Sequence, residues 1–196
     1  MLDAALDLLR CGGPRAVTMT AVAAAVGAPS GSVYHRFPSR DAMLGVLWLR
    51  AIEDFQERFL VELSVRGPGE KPVDSALRAV RWSIDWVRSD PDSARLLLLY
   101  RREDLASSEW PRDLALRAGR LARRFDAAMR AFAARLRFGD AEARAWYALV
   151  DLPIAAVRRH LANGRRVPHE VDRLVDETVR ALLGPAPRRR RPPDAR

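Results

Sequence analysis

Between Ser30 and Phe37 the chain reads Ser-Gly-Ser-Val-Tyr-His-Arg-Phe. Six of these eight residues are very small or polar. Only Val33 and Phe37 are bulky and apolar, and they stand four apart, on one face of a helix. A helix with so little to bury does not justify itself as scaffold. Tyr34, His35 and Arg36 can donate hydrogen bonds to phosphate oxygens or base edges. Ser30, Gly31 and Ser32 let the backbone come close to a nucleic acid, and the two serines can themselves reach base edges. This is the chemistry of binding. Catalytic patterns are missing: there is no Gly-rich phosphate loop, no GxSxG and no paired-histidine metal spacing, with three histidines in all. We expect no enzymatic activity, no catalytic residues, no metal and no cofactor.

The flanking residues explain how such a rod is held. Thr18 can cap a short helix by accepting a first-turn amide. That helix carries an apolar face at Met19, Val22, Ala23 and Val26. Gly27 stops it, since glycine takes the left-handed conformation without a steric penalty. Pro29 suits the first position of the next helix. Pro38 ends that one, Ser39 caps a third, and Asp41 sits in its first turn where the dipole favours an acid. Two short helices joined by a glycine turn form the pattern of a helix-turn-helix, whose second helix enters the DNA major groove. Thr18 and Tyr34 would hold phosphates, and Arg40 a phosphate at the start of the third helix.

Residues 2–44 resemble the N-terminal domain of the TetR family of transcriptional regulators. The resemblance rests on Gly13, Thr18, Val22-Ala23, Val26-Gly27-Ala28, Ser30-Gly31-Ser32-Val33-Tyr34-His35-Arg36-Phe37, Arg40 and Met43-Leu44. His35-Arg36 stands where the family often has x-His, Arg40 replaces a lysine, and Thr20 stands where many members carry arginine. Carried over by position, the resemblance implies DNA contacts from Thr18, Thr20, Ser30, Gly31, Ser32, Tyr34, His35, Arg36 and Arg40. It also implies three helices for DNA binding, with the remaining helices forming a ligand-binding and dimerisation domain.

The totals agree with a globular protein. The chain has 196 residues, 48% of them apolar and 30% charged. Of 34 basic residues only Lys71 is lysine, a bias that suggests a GC-rich, bacterial coding genome and weakens arguments from arginine number. The net charge is +9. Much of it sits in residues 184–196, with five arginines against one aspartate. Residues 1–50 hold five arginines against three aspartates, so charge permits DNA binding without proving it. Cys11 is the only cysteine, which excludes an intramolecular disulfide; it is expected as a small core residue of the first helix. The N-terminus does not read as a signal peptide, and no apolar run is long enough for a membrane span. A cytoplasmic protein with no membrane partner is expected.

The first helix covers Leu2 to Cys11, with Leu2, Ala5, Leu6 and Leu9 facing inward and Gly12-Gly13-Pro14 ending it. The helix from Ser39 continues to about residue 65 through Leu44, Leu47, Ala51, Phe55, Phe59 and Leu63, linking the two domains mechanically. Helices are then expected from Pro72, from Asp92 to about Glu103, from Leu114 to Leu136, from Ala141 to Leu161 with a kink at Pro153, and from Pro168 to Leu183. Residues 104–112 read as a loop. The Pro- and Arg-rich tail after Gly184 reads as disordered.

The fold class is therefore all-α: about nine helices, an N-terminal three-helix helix-turn-helix domain over residues 1–45, and a helical effector-binding and dimerisation bundle over 46–183. Residues 184–196 are a basic tail. Trp82, Asp85, Trp86, Tyr100, Phe125, Met129, Trp146 and Tyr147 are candidates to line an effector pocket, set against ordinary bundle core. Asp85 can instead pair with an arginine. The expected function is a homodimeric DNA-binding regulator, a repressor released by an unknown small molecule. It would pair through residues 141–183 on a near-palindromic double-stranded operator. The alternative is a helical dimer that senses or scaffolds without reading DNA.

Overall fold

The structure is a computed structural model and describes residues 1–99 and 110–184. Nine helices and no strand occur among the described residues. The first four are α1 (Leu2–Ala16), α2 (Met19–Ala25), α3 (Ser30–Arg36) and α4 (Arg40–Leu63). Then follow α5 (Pro72–Ser89), α6 (Pro91–Leu99) and α7 (Arg112–Ala133). The helix α8 runs over 141–162, as Ala141–Trp146, a π-helical turn Tyr147–Asp151, and Leu152–Ala162. The last, α9, is Glu170–Leu183.

The local signals in the N-terminal unit act much as read. The Thr18 hydroxyl accepts from the Ala21 amide at 3.1 Å, and the Ser39 hydroxyl from the Ala42 amide at 3.0 Å. Gly27 has φ +63°, and the Ala28 and Gly27 amides return to the carbonyls of Ala23 and Ala24. This paired closure satisfies carbonyls that the end of α2 would leave bare. Pro29 differs from expectation. Its ψ of 140° keeps it outside the helix as the cap of α3, with its carbonyl accepting from the Ser32 amide at 2.9 Å. Gly13 interrupts α1 with φ 68°, so the break expected there bends the chain and one further turn follows to Ala16.

Ala5, Leu9, Val17, Val22, Val33 and Phe37 form the centre of a core that belongs to these first helices. Cys11 is exposed, contrary to the sequence expectation. The buried positions on α1 are Ala5 and Leu9, and two further residues turn the helix by about 200°, away from the core.

A second, larger core is built from α4, α5, α7, α8 and α9 around Phe59, Ile84, Met129, Phe132, Leu149 and Val179. The helix α4 runs unbroken from the first core into the second, across the expected boundary near residue 45. At its far end Arg78 of α5 donates to the carbonyls of Glu62 at 2.9 Å and Ser64 at 2.7 Å, and pairs with Glu70. The Arg78 bond holds the Glu70 carboxyl below its ordinary value, helped by the Arg66 amide.

The helix α6 ends, as described, at Leu99; the rest of its expected length, the 104–109 part of the loop and the tail after Gly184 lie outside the described residues. Pro153 was expected to kink α8. It is buried, and the π-turn Tyr147–Asp151 immediately before it takes up the irregularity.

Candidate nucleic-acid interface and internal cavity

The helix α3 presents its donors outward. Ser30, Gly31, Ser32, Tyr34, His35 and Arg36 are all exposed, Tyr34 at 55%, while Val33 and Phe37 are 0% and 5% exposed. The two apolar residues therefore pin a two-turn helix whose remaining circumference is free to touch a duplex. Arg36 also lies over the Phe37 ring, 6.0 Å from its centroid. Thr18 and Thr20 are exposed at the start of α2, beside this helix. Because the Thr18 oxygen caps α2 by accepting, its O–H remains able to donate to a phosphate.

Arg40 is more constrained. Its Nε donates to the Val17 carbonyl at 2.7 Å, and its Nη1 lies 3.4 Å from Asp41 Oδ1. Arg40 thus ties the α1–α2 corner to the first turn of α4. It fixes the angle at which the short helices stand.

The second site is a cavity of about 250 Å³ in the large core. Five helices contribute to it: α4 with Phe55 and Phe59, α5 with Trp86, α6 with Leu98, α7 with Phe125 and α8 with Leu149 among others. Its aromatic wall is continuous, with ring centroids 4.9 Å apart for Phe55–Trp86 and 5.8 Å for Phe59–Phe125.

Of the eight residues expected to line a pocket, Trp86 and Phe125 do so. Trp82 packs against Phe55 at 5.4 Å behind the wall. Trp146 meets Phe125 edge-on at 5.8 Å from its other side. Met129 is wholly buried in the surrounding core. Asp85 is exposed and bonds Arg88 at 2.9 Å, the pairing that the arginine-rich sequence suggested. Tyr147 is 52% exposed on the outside of α8, and Tyr100 lies outside the described residues. Sequence reasoning missed Phe55, Phe59, Gln56 and Ser83. The last two carried a signal, being uncharged polar residues within otherwise apolar helical stripes.

The cavity and the DNA-binding unit share α6. Leu96 is fully buried in the N-terminal core, while Leu97 and Leu98 line the cavity. At the start of the same helix Asp92 accepts from Arg10 of α1 at 2.8 Å. Among the described residues no group of three His, Cys, Asp or Glu is placed to hold a metal, and no helix is long and apolar enough to cross a membrane.

An exposed donor row on a pinned second helix, at the end of a helical body, defines a helix-turn-helix DNA-binding regulator. Residues 1–47 match the family described as bacterial regulatory proteins, tetR family. No curated protein matches the chain. Solved structures share its fold almost end to end. A TetR-family transcriptional regulator from Streptomyces coelicolor is 23% identical with a TM-score of 0.64, over 93% of this chain and 92% of that one. A tetR-family regulatory protein from Rhodococcus RHA1 is 19% identical with a TM-score of 0.69, over 95% and 96%. The regulator FadR from Bacillus subtilis, in complex with stearoyl-CoA, is 14% identical with a TM-score of 0.68, over 93% and 96%. Residues 1–47 thus carry the DNA-binding domain of the tetR family, and the chain as a whole has the all-α fold of these solved regulators. Regulators of this family are non-enzymatic transcription factors.

Proposed function

We propose that the chain acts as a homodimeric repressor that leaves its operator when a small molecule fills the cavity. The observation that carries this reading is the exposed row Ser30, Ser32, Tyr34, His35 and Arg36 on a helix pinned by Val33 and Phe37. Ser30, Ser32 and His35 reach base edges; Thr18, Tyr34 and Arg40 hold phosphates, with Thr20, Gly31 and Arg36 in the same interface. The functional division is residues 1–45 for DNA, 46–183 for effector and partner, and 184–196 as a basic tail.

Two copies pair through α8 and α9. Tyr147 and Leu174 leave large apolar surface bare there, at 52% and 49% exposure, and Ala143 and Ala181 are exposed on the same two helices. Pairing places two α3 helices on successive turns of one duplex face, which is why the operator is near-palindromic. Release follows from α6. A ligand that shifts Leu97 and Leu98 also moves Leu96, which is embedded in the DNA-binding core, and strains the Arg10–Asp92 pair. The ligand shifts this balance only by its difference in affinity for the two arrangements.

Selection of bound sequences from random duplexes tests the first half. An inverted repeat is expected, with half-sites about one helical turn apart. Absence of any sequence preference at moderate salt overturns the reading. Sedimentation of the free protein tests pairing; a monomer at micromolar concentration refutes it. Val157→Trp and the milder Ile154→Phe, both on the cavity wall, are expected to keep operator binding and lose release.

A further inference from the structure

We propose that the cavity accepts an uncharged, largely apolar molecule of about ten non-hydrogen atoms, with one hydrogen-bonding group directed at the Gln56 amide. This rests on the reading of the cavity as the effector site and adds the chemical class of its occupant.

The first ground is what the walls lack. In a chain with 30% charged residues, none of the described residues that line the cavity carries a charge. A carboxylate or ammonium moved from water into such walls loses its hydration and finds no counter-ion. That transfer costs several kcal/mol or forces the group to neutralise. Among the described residues nearby, Arg88 is committed to Asp85 and Asp172, Arg81 to Asp176 and Arg117 to Glu53.

The second ground is the polar inventory. Among the described residues only Gln56 and Ser83 interrupt the apolar lining. Ser83 is 8% exposed and its hydroxyl donates to the Val80 carbonyl at 2.7 Å, so its proton is spent within α5. The Gln56 side chain has no hydrogen-bond partner among the described residues. Its amide offers two donors and an acceptor to whatever enters. The amide is reached by solvent, so a ligand group that bonds it replaces a contact with water.

The third ground is size. An engineered cavity of roughly 150 Å³ lined by aliphatic and aromatic side chains takes benzene, so a space two-thirds larger takes about ten such atoms. The cavity of about 250 Å³ is lined by aromatic rings and by aliphatic side chains such as Ile84, Leu97, Leu98 and Val157. Those dimensions suit a bicyclic hydrocarbon skeleton or a short alkyl chain.

Calorimetric titration of the full-length protein with four compounds of one skeleton, spanning three charge states, tests the proposal: naphthalene, naphthylmethanol, naphthoate and naphthylmethylammonium. Naphthylmethanol is expected to bind tightest, one per chain, roughly threefold to tenfold above naphthalene, the range of one neutral hydrogen bond. Naphthoate and naphthylmethylammonium are expected to bind at least tenfold more weakly than the alcohol. Gln56→Leu is expected to abolish the preference for the alcohol over the hydrocarbon, and Gln56→Asn to restore part of it, a pattern that a merely structural residue does not produce. Equal affinity for alcohol and naphthoate overturns the proposed class and leaves the cavity reading intact. Tight binding of stearoyl-CoA that the naphthyl series does not displace also overturns it, in favour of a charged amphiphile. If no probe binds, the class falls; the cavity reading falls with it only if Val157→Trp and Ile154→Phe still leave the operator in response to an effector that releases the unaltered protein.

Discussion

The DNA-facing helix and the cavity are opposite solutions to the same need for a specific surface. In α3 the chemistry comes from consecutive residues, and the fold supplies only two anchors, Val33 and Phe37. In the cavity no helix supplies more than a patch, and the specificity lies in how five helices meet. A contiguous site survives changes in the body as long as its anchors hold. A composite site changes character whenever any of its helices shifts by a fraction of a turn. The first kind suits a duplex whose shape is constant, and the second suits ligands that vary.

The sharpest way to break the contrast is to remove an anchor. Phe37→Ala deletes a ring that is 5% exposed in a small core. The expected cost is about 3–5 kcal/mol, enough to melt the first three helices. Denaturation followed by circular dichroism should show a lost or earlier transition, and operator binding should vanish while ligand binding in the body persists.

Next in size is Gly45→Ala. A Cβ at this position would stand 2.7 Å from the Trp110 ring and 2.8 Å from Leu114. Overpacking of this kind costs about 1–3 kcal/mol. Trp110 must tilt off α4, so the indole emission should shift together with the melting temperature. An unchanged spectrum would mean that α4 and α7 are less closely seated than described.

Smaller still are changes on the exposed row itself. Ser32→Ala and Tyr34→Phe leave the anchors untouched, so thermal stability should stay within about 0.5 kcal/mol. Ser32→Ala should cost affinity only for the preferred operator, by about 1–3 kcal/mol if it reads a base edge. Tyr34→Phe should weaken all duplexes alike. Electrophoretic shifts against specific and random duplexes separate the two.

The smallest effect lies far from both sites. The Glu70 carboxyl is held below its ordinary value of 4.5, chiefly by its bond to Arg78. A lowered folded-state value stabilises the protein above pH 4.5, and that contribution is lost as pH falls through the lowered value. Glu70→Gln should therefore be less stable than the parent at neutral pH, and the gap should close on acidification. A gap that persists in acid would assign the loss to packing.

These contrasts also explain what the sequence revealed. Thr18, Gly27 and Ser39 each act on amides or carbonyls within five residues, so their roles were legible from type and spacing. Pro29 was misplaced by one position because a proline cap and a proline first residue look alike in one dimension. Trp82, Met129 and Trp146 are large and apolar and so read as candidate lining; which side of the wall a side chain occupies depends on helix rotation, and local pattern does not encode that. Arg40 shows the same limit. Its charge was visible, yet its bond to Val17 spans 23 positions and belongs to the assembled corner.

The π-turn Tyr147–Asp151 divides α8 into two halves with separate angular phase. An ordinary helix advances by about 100° per residue, so one added residue swings everything beyond it by that amount. The insertion leaves Tyr147 outside while Leu149 and Pro153 reach the cavity. Deleting one residue from 147–151 would restore regular winding and rotate Leu152–Ala162 as a block. A lineage could thus re-aim half of one wall in a single event, without altering any side chain there.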